Sequence, residues 1–407
     1  MIFRVVPISE EFDLNNVCRG DGYLFVRDGI GFAGRGIAQR LTEDAVETFL
    51  ARLLPSTSNS TEDSDVLPIV FGLIPFSPAE QGSFVLAQVT FLKRSDGRQF
   101  VIAIGQDESD VSHEAVQALI TSALHSQPPR PSSNSFRISP KTPIGQYLDT
   151  VVAARDAVRA GALRKVVIAR DIEIHADDPI DVHAILLRLR ATFGSSYRYC
   201  VDNMIGASPE LLIEVDGRIV RSHPLAGTAP RTGDSDTDAR LAAQLIASTK
   251  DQVEHRVVID MVHDTLLPHC SYLDWEAEPS IVTVANVQHL GTAIEGALTD
   301  PPTRVLQLVR ELCPTPALGG FPGREAIEFI NTTENIERGN YGGAVGWMNS
   351  AGNGTFAVTI RCAELSADRR TARLFAGGGI VGESDPYSEL AETQAKFQAM
   401  MSAIIRP

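Results

Sequence analysis

Four acidic residues fall into two pairs at one spacing. Asp251 and Glu254 stand three apart in Lys250-Asp-Gln-Val-Glu-His255, and Glu389 and Glu392 stand three apart near the end of the chain. Residues three apart on a helix are neighbours on one face, so each pair would present two carboxylates together. Such carboxylates repel one another unless a cation lies between them. Two helices carrying these pairs could clamp one hard divalent cation, because Mg2+ takes oxygen ligands and is commonly held by carboxylates, waters and an anionic substrate. The ordinary reading of either pair alone is a solvated helix start.

Two further residues have the chemistry of a base and an acid. Lys165 opens the apolar run Lys165-Val-Val-Ile-Ala-Arg170, and Glu210 follows Ser-Pro at the entrance of another. Each has a plain reading, as a snorkelling surface lysine or a turn-capping acid. Together they suggest more, since a desolvated Lys can act as a base and a Glu in an apolar pocket can stay protonated as an acid.

Gly377, Gly379 and Gly382 spell G-x-G-x-x-G after an apparent strand and before a helix, which is the pattern of a dinucleotide-binding turn. That turn needs a second strand with an acid roughly 20 residues further on, and only one helix follows here. Asp385-Pro386 also starts this helix too late for Gly379 to lie at its N-terminus. The glycines have another use, which is to let the backbone approach an anion closely.

Elements that must position these residues follow from the hydrophobic period. Before residue 142 the pattern predicts strands over 22–32 and 66–76, a hairpin over 83–104 turning at Asp96-Gly97, and helices over 43–54 and 113–125. No cluster of acids, His or Lys stands out there, so this part reads as structural. Residues 55–68 are a polar surface loop by composition, and residues 126–143, with five prolines, read as a connector. Beyond it the pattern predicts a helix over 146–160, a strand from Lys165, a helix over 181–193, and strands over 197–201, 211–215 and 218–221 with a turn at Asp216-Gly217. A helical run over 236–267 breaks near Ser248, strands follow through 281–294, helices cover 303–312 and 324–330, and three strands lead to the glycine-rich stretch.

Composition narrows the class. A chain of 407 residues with 43% hydrophobic content can bury a large core. No stretch approaches the length of a membrane span and the N-terminus has no leader pattern, so a cytoplasmic protein is expected. The five cysteines (Cys18, Cys200, Cys270, Cys313, Cys362) are dispersed, which fits reduced thiols better than a disulfide framework or zinc site. A net charge of -15 argues against nucleic acid as partner. Any anion site must therefore be built locally from Arg, Lys, backbone N–H groups or a metal.

Eight strings occur in one order: Lys165-Val-Val-Ile-Ala-Arg, Gly206-Ala-Ser-Pro-Glu-Leu-Leu, Pro224-Leu-Ala-Gly-Thr, Lys250-Asp-Gln-Val-Glu-His, Asn286-Val-Gln-His-Leu-Gly-Thr, Cys313-Pro-Thr-Pro-Ala-Leu-Gly-Gly-Phe-Pro, Arg338-Gly-Asn-Tyr-Gly-Gly and the stretch 361–396. Together they closely resemble the chorismate-utilising enzymes of menaquinone, siderophore and tryptophan biosynthesis, over residues 142–405. The resemblance implies an α/β (α+β) fold: a single large chorismate-binding domain with two packed β-sheets flanked by helices. Residues 142–407 would form the catalytic region and residues 1–141 the N-terminal structural half of the same fold.

Within that family the attacking group differs. Lys165 matches the lysine that isochorismate and salicylate synthases use as general base for water, which the ammonia-using anthranilate synthases lack. Ala226 stands where aminodeoxychorismate synthases of the covalent type carry a nucleophilic lysine. The resemblance thus implies an isomerase, an isochorismate synthase, that adds water at C2 of chorismate through Lys165 and expels the C4 hydroxyl through Glu210. It implies Mg2+ held by Glu254 and Glu392, with Asp251 and Glu389 acting through waters. Substrate contacts are implied for Gly227, Thr228, His289, Ala317, Tyr341, Arg361, Gly377, Gly379 and Lys396. No glutamine amidotransferase partner, membrane or nucleic acid is expected. Cys313 departs from the His usual before this Pro, which bears on substrate positioning. The alternatives are a salicylate synthase, against which the small Ala317 argues, a non-catalytic chorismate-binding subunit, and the nicotinamide enzyme suggested by the glycines alone.

Overall fold

The lysine-first motif and the glycine-rich motif are neighbouring strands. Lys165–Ala176 pairs antiparallel with Thr371–Ile380, Val166 lying opposite Ile380 and His175 opposite Thr371. The computed structural model of the chain describes residues 1–125, 134–284 and 287–406. Residues 126–133 of the expected connector, and Asn286 of the Asn286-Val-Gln-His string, lie outside the described residues.

Among the described residues the strands form three sheets. The largest runs from Phe136–Pro140 through Lys165–Ala176, Thr371–Ile380, Cys362–Leu365, Met204–Ser208 and Tyr197–Val201, then through Tyr23–Arg27, Ile30–Arg35, Val89–Lys93, Gln99–Gly105 and Ile2–Pro7 to Leu54–Pro55. The second runs through Cys270–Trp275, Ile294–Leu298, Ile219–His223, Leu211–Asp216, Gly354–Val358, Ala344–Asn349, Ile69–Ile74, Ser83–Leu86 and Gln39–Thr42. The expected pair of large sheets is therefore joined by a third, Leu225–Pro230, Val287–Gly291 and Ser280–Val284.

Residues before 142 complete both large sheets. Tyr23–Arg27 pairs with Tyr197–Val201, and Ile69–Ile74 pairs with Ala344–Asn349. One buried cluster joins side chains of the two sheets, including Phe25 and Ile168 from one and Phe71, Val345 and Phe356 from the other. A second cluster, with Ile185, Leu189 and Phe397, packs helices against Leu24, Val101 and Leu374 of the larger sheet. Burial of this extent is the main stabilising contribution in such a chain.

Several expectations are corrected. The single strand expected over 22–32 is a hairpin, because Asp28 and Gly29 take φ of 52° and 80° and a two-residue left-handed turn reverses the chain. Of the hairpin expected over 83–104, only Val89–Lys93 and Gln99–Gly105 pair in that way, while Ser83–Leu86 joins the other large sheet. The strands Ile2–Pro7, Gln39–Thr42, Leu54–Pro55, Phe136–Pro140, Met204–Ser208, Leu225–Pro230, Cys270–Trp275 and Gly320–Phe321 lie outside the sequence expectation. The helical break near Ser248 is present. Ser248 ends Ser235–Ala247 and caps Thr249–Leu266, its side chain accepting from the Asp251 N–H at 3.2 Å.

Gly377 and Gly379 sit inside a paired strand rather than in a strand-to-helix turn. The last helix, Pro386–Ile405, begins with Asp385 as N-cap and Pro386 in its first turn. That geometry leaves the glycines with no helix N-terminus for a pyrophosphate. No helix of the described residues is long and apolar enough to cross a membrane.

Candidate active site

Lys165 and Val167 project from one face of their strand, as residues two apart do, into a cavity of about 230 Å³. Gly379 and Gly377 lie opposite Val167 and Ala169 on the paired strand. Space explains why they are glycines. A Cβ at Gly379 would lie 2.8 Å from both Glu254 Oε1 and Lys165 Cε, and one at Gly377 would lie 3.0 Å from the Tyr341 hydroxyl. A Cβ at Gly378 would lie 2.7 Å from Glu389 Oε2.

Both acid pairs reach this cavity from their two helices, Asp251 and Glu254 on Thr249–Leu266 and Glu389 and Glu392 on Pro386–Ile405. Each outer member faces a lysine. Lys165 Nζ lies 2.7 Å from Glu254 Oε1, and Lys396 Nζ lies 2.6 Å from Glu392 Oε1 while donating to the Gly377 carbonyl at 2.7 Å. Gly227, at φ 75°, brings its backbone against Asp251, whose Oδ1 would be 3.3 Å from a Cβ there. Glu389 accepts from Ser384 Oγ at 2.8 Å. Burial, with the nearby charge of Glu392, raises the Glu389 carboxyl to about 7. Burial acts to raise Glu392 as well, but Lys396, Lys250 and Arg361 together hold it below its ordinary value.

The opposite wall comes from the three-stranded sheet and the start of the Cys362–Leu365 strand. His289 Nδ1 lies 3.0 Å from the Gly227 carbonyl and 3.2 Å from Thr228 Oγ1. A carbonyl only accepts, so the proton is on Nδ1 and the Nε2 lone pair faces Arg361 Nη2 at 3.0 Å. Burial first, then Arg361 and Lys396, push His289 down to about 3, which keeps the ring neutral. Arg361 is thereby aimed by a neutral acceptor instead of being neutralised by an acid.

Glu210 is buried, and burial raises its carboxyl to about 7 against the opposing effects of the Leu225 N–H, Lys165, Arg361 and Lys396. Its Oε1 accepts from Leu225 N at 3.4 Å. Tyr341 stacks on Phe375 with ring centroids 5.0 Å apart, and burial pushes its phenol up, so it stays a neutral donor. Ala317 and Leu318 close the remaining side, and Ala226 lines the cavity as well.

All fifteen residues given a catalytic, substrate-binding or metal-holding role from the sequence line this one cavity. Lys250 also lines it, yet sequence reasoning gave it no role, although its place beside Asp251 was a signal. Cys313 is buried outside the lining, and burial pushes its thiol up to about 12. The departure from His therefore does not alter the cavity wall directly. Among the described residues no three His, Cys, Asp or Glu side chains are gathered closely enough to form a ready metal site. A wider cleft of about 540 Å³ lies beside Phe25, Phe32 and Trp347, but its charged residues include surface pairs such as Arg94 with Asp65. It has no buried acid and base facing each other.

A family model described as chorismate binding enzyme matches residues 29–405. A protein of Mycobacterium tuberculosis provisionally named isochorismate synthase MenF is 44% identical over 275 residues, covering 64% of this chain and 74% of the relative. Isochorismate synthase EntC of Escherichia coli is 32% identical over 397 residues, covering 93% of this chain and 94% of its own. Among solved structures, MenF, the menaquinone-specific isochorismate synthase of Escherichia coli, aligns with a TM-score of 0.83 at 26% identity, covering 98% of this chain and 94% of its own.

Proposed function

Because the chain belongs to the chorismate-binding enzyme family, we propose that it is an isochorismate synthase, an isomerase that converts chorismate to isochorismate. The relatives of that name over most of the chain support the reaction. The observation that carries the mechanism is a buried lysine and a buried, neutral-leaning carboxyl facing one cavity.

In its neutral amine form Lys165 takes a proton from a water molecule as that water's oxygen bonds to C2. The ring double bonds shift, the C4–O bond breaks, and Glu210 gives its proton to the departing hydroxyl, which leaves as water. Oxygen and protons balance, one water in and one out. Burial serves Glu210 here, because a carboxyl at about 7 retains a substantial protonated fraction at neutral pH. Arg361, held by neutral His289, and Lys396 supply fixed positive charge for the substrate carboxylates, and Tyr341 donates a hydrogen bond. This resolves how an acidic protein takes an anion.

The donor set fits Mg2+. Glu254, Glu392, Asp251 and Glu389 are hard oxygen donors facing one cavity, and the raised Glu389 carboxyl marks a charge penalty that a cation would offset. We assign Glu254 and Glu392 as its holders, with Asp251 and Glu389 acting through waters. When bound, the cation supplies positive charge to the ring carboxylate of chorismate. An ammonia-supplying partner is not required, because Lys165 activates water. All five cysteines are unpaired, which supports a reducing, cytoplasmic compartment.

Turnover in water enriched in oxygen-18 tests the chemistry. Isochorismate carrying one heavy oxygen, at C2, is expected. Unlabelled isochorismate would rule out addition of solvent water.

A further inference from the structure

The strand that carries Lys165 is incompletely paired on one edge. Thr371–Ile380 covers one side from Val166 to His175. On the other side Gly320–Phe321 pairs only with Lys165 and Val166, and Phe136–Pro140 pairs only from Ile172 to Ala176. Between them Val167 N donates to the Gly319 carbonyl at 2.9 Å and the Asp171 carbonyl accepts from Lys141 N at 3.1 Å, which leaves the Val167 carbonyl and the Ala169 N–H without a strand partner on that edge. They lie within a few residues of Lys165, and Val167 itself lines the cavity.

Two side chains fill part of this gap. Glu334 Oε2 accepts from the Ala169 N–H at 2.8 Å, and Arg338 Nη2 donates to the Val167 carbonyl at 2.8 Å. Arg338 Nη1 donates to the Leu318 carbonyl at 2.8 Å, which ties the strand to the cavity wall formed by Ala317 and Leu318. The two side chains also bind each other, Arg338 Nε lying 2.7 Å from Glu334 Oε1. Their exposures are 1% and 2%, and the guanidinium lies over the Phe76 ring at 4.3 Å. Three residues on, Tyr341 N donates to the Arg338 carbonyl at 2.9 Å.

We propose that Glu334 and Arg338 are positioning residues that stand in for a missing strand, fixing Lys165, the 317–318 wall and Tyr341 relative to one another. A fully buried ion pair is a poor device for stability alone, because desolvation offsets most of its attraction and an apolar pair of like size often serves as well. Its fork of donors does what an apolar pair does not. It reaches two carbonyls on two segments while its partner accepts from a third backbone group. Nothing in the proposed reaction touches either residue, so their effect on turnover passes through the placement of Lys165 and the wall. This inference rests on the isochorismate synthase reading.

The test compares Glu334→Leu/Arg338→Met with wild type by thermal melting, chorismate binding and product formation. The double variant leaves three buried backbone groups unpaired and should melt below wild type, yet at temperatures where near-ultraviolet circular dichroism shows it folded it should lose about a hundredfold in kcat, the cost expected of a small misplacement of a reacting group. Wild-type turnover in the double variant would overturn the proposal and leave the synthase reading intact. A wild type that forms no isochorismate would instead remove the synthase reading. Arg338→Lys keeps the charge opposite Glu334 but cannot span both carbonyls, and it serves if the double variant fails to fold. It should lower kcat more than it raises KM at temperatures where near-ultraviolet circular dichroism shows it folded. Unchanged kcat in a folded Arg338→Lys would likewise overturn the proposal.

Discussion

Lys165 Nζ lies 2.7 Å from Glu254 Oε1, so the proposed base and a proposed cation ligand share one buried ion pair. The pair spans the strand and the helix that face each other across the cavity. It links the two halves of the proposed chemistry, water activation on one side and carboxylate binding on the other.

Lys165→Ala removes the base and leaves Glu254 without its partner. Product formation should fall by about 10²- to 10⁴-fold, the usual contribution of a positioned base, while chorismate still binds in a calorimetric titration. Turnover within tenfold of wild type would take Lys165 out of the role of base.

Glu210 must be protonated to donate, and burial raises its carboxyl to about 7. The rate should therefore decline as pH rises through about 7, as the acid form is lost. Glu210→Gln should abolish that limb along with most turnover. The stability consequence has a definite sign. A carboxyl raised above its unfolded value near 4.3 binds more protons when folded, so its favourable contribution is complete below that pH and is lost as pH rises through about 7. Glu210→Gln should accordingly match wild type in melting temperature near pH 4 and exceed it at pH 8. Equal melting temperatures at both pH values would contradict the buried assignment.

His289→Ala leaves Arg361 without the acceptor that aims it. One hydrogen bond to a charged group contributes about 1.5–3 kcal/mol, so KM for chorismate should rise by about tenfold or more, with kcat changing less. Initial-rate kinetics over a range of chorismate concentrations would separate the two. A fall in kcat at constant KM would place His289 in the chemical step instead.

Gly379→Ala puts a methyl group where Glu254 Oε1 and Lys165 Cε would each be 2.8 Å away. The strand itself accepts an Ala, so the fold should survive while the ion pair is forced apart. Turnover should drop about tenfold or more, with a melting temperature close to wild type. Full activity would mean that the lysine and glutamate relax without consequence.

The site was legible in the sequence to a greater degree than the fold around it. Lys165, Glu210, the acid pairs and the glycines stand in short local strings whose chemistry shows in residue type and spacing, and they line one cavity. Strand pairing is a different matter. Met204–Ser208 and Leu225–Pro230 are rich in Gly, Ala and other small residues, so they lack the β-branched and aromatic pattern that marks a strand. Met204–Ser208 is held between Tyr197–Val201 and Cys362–Leu365, the latter a segment about 160 residues away. Phe136–Pro140 lies in a proline- and serine-rich stretch and becomes a strand because it edges Lys165–Ala176. Asp28-Gly29 is a turn dipeptide, but the apolar runs on either side of it read together as one strand. The part played by Glu334 and Arg338 depends on a gap in a sheet edge, which only the assembled strands reveal.

The most direct measurement is incubation of the purified protein with chorismate and Mg2+, with and without EDTA, followed by chromatographic separation of the products. Isochorismate as the sole product, lost with EDTA, is the predicted result. Salicylate together with pyruvate would contradict the account by adding an elimination step, and chorismate that binds but is recovered unchanged would contradict it by making the protein a binder without turnover.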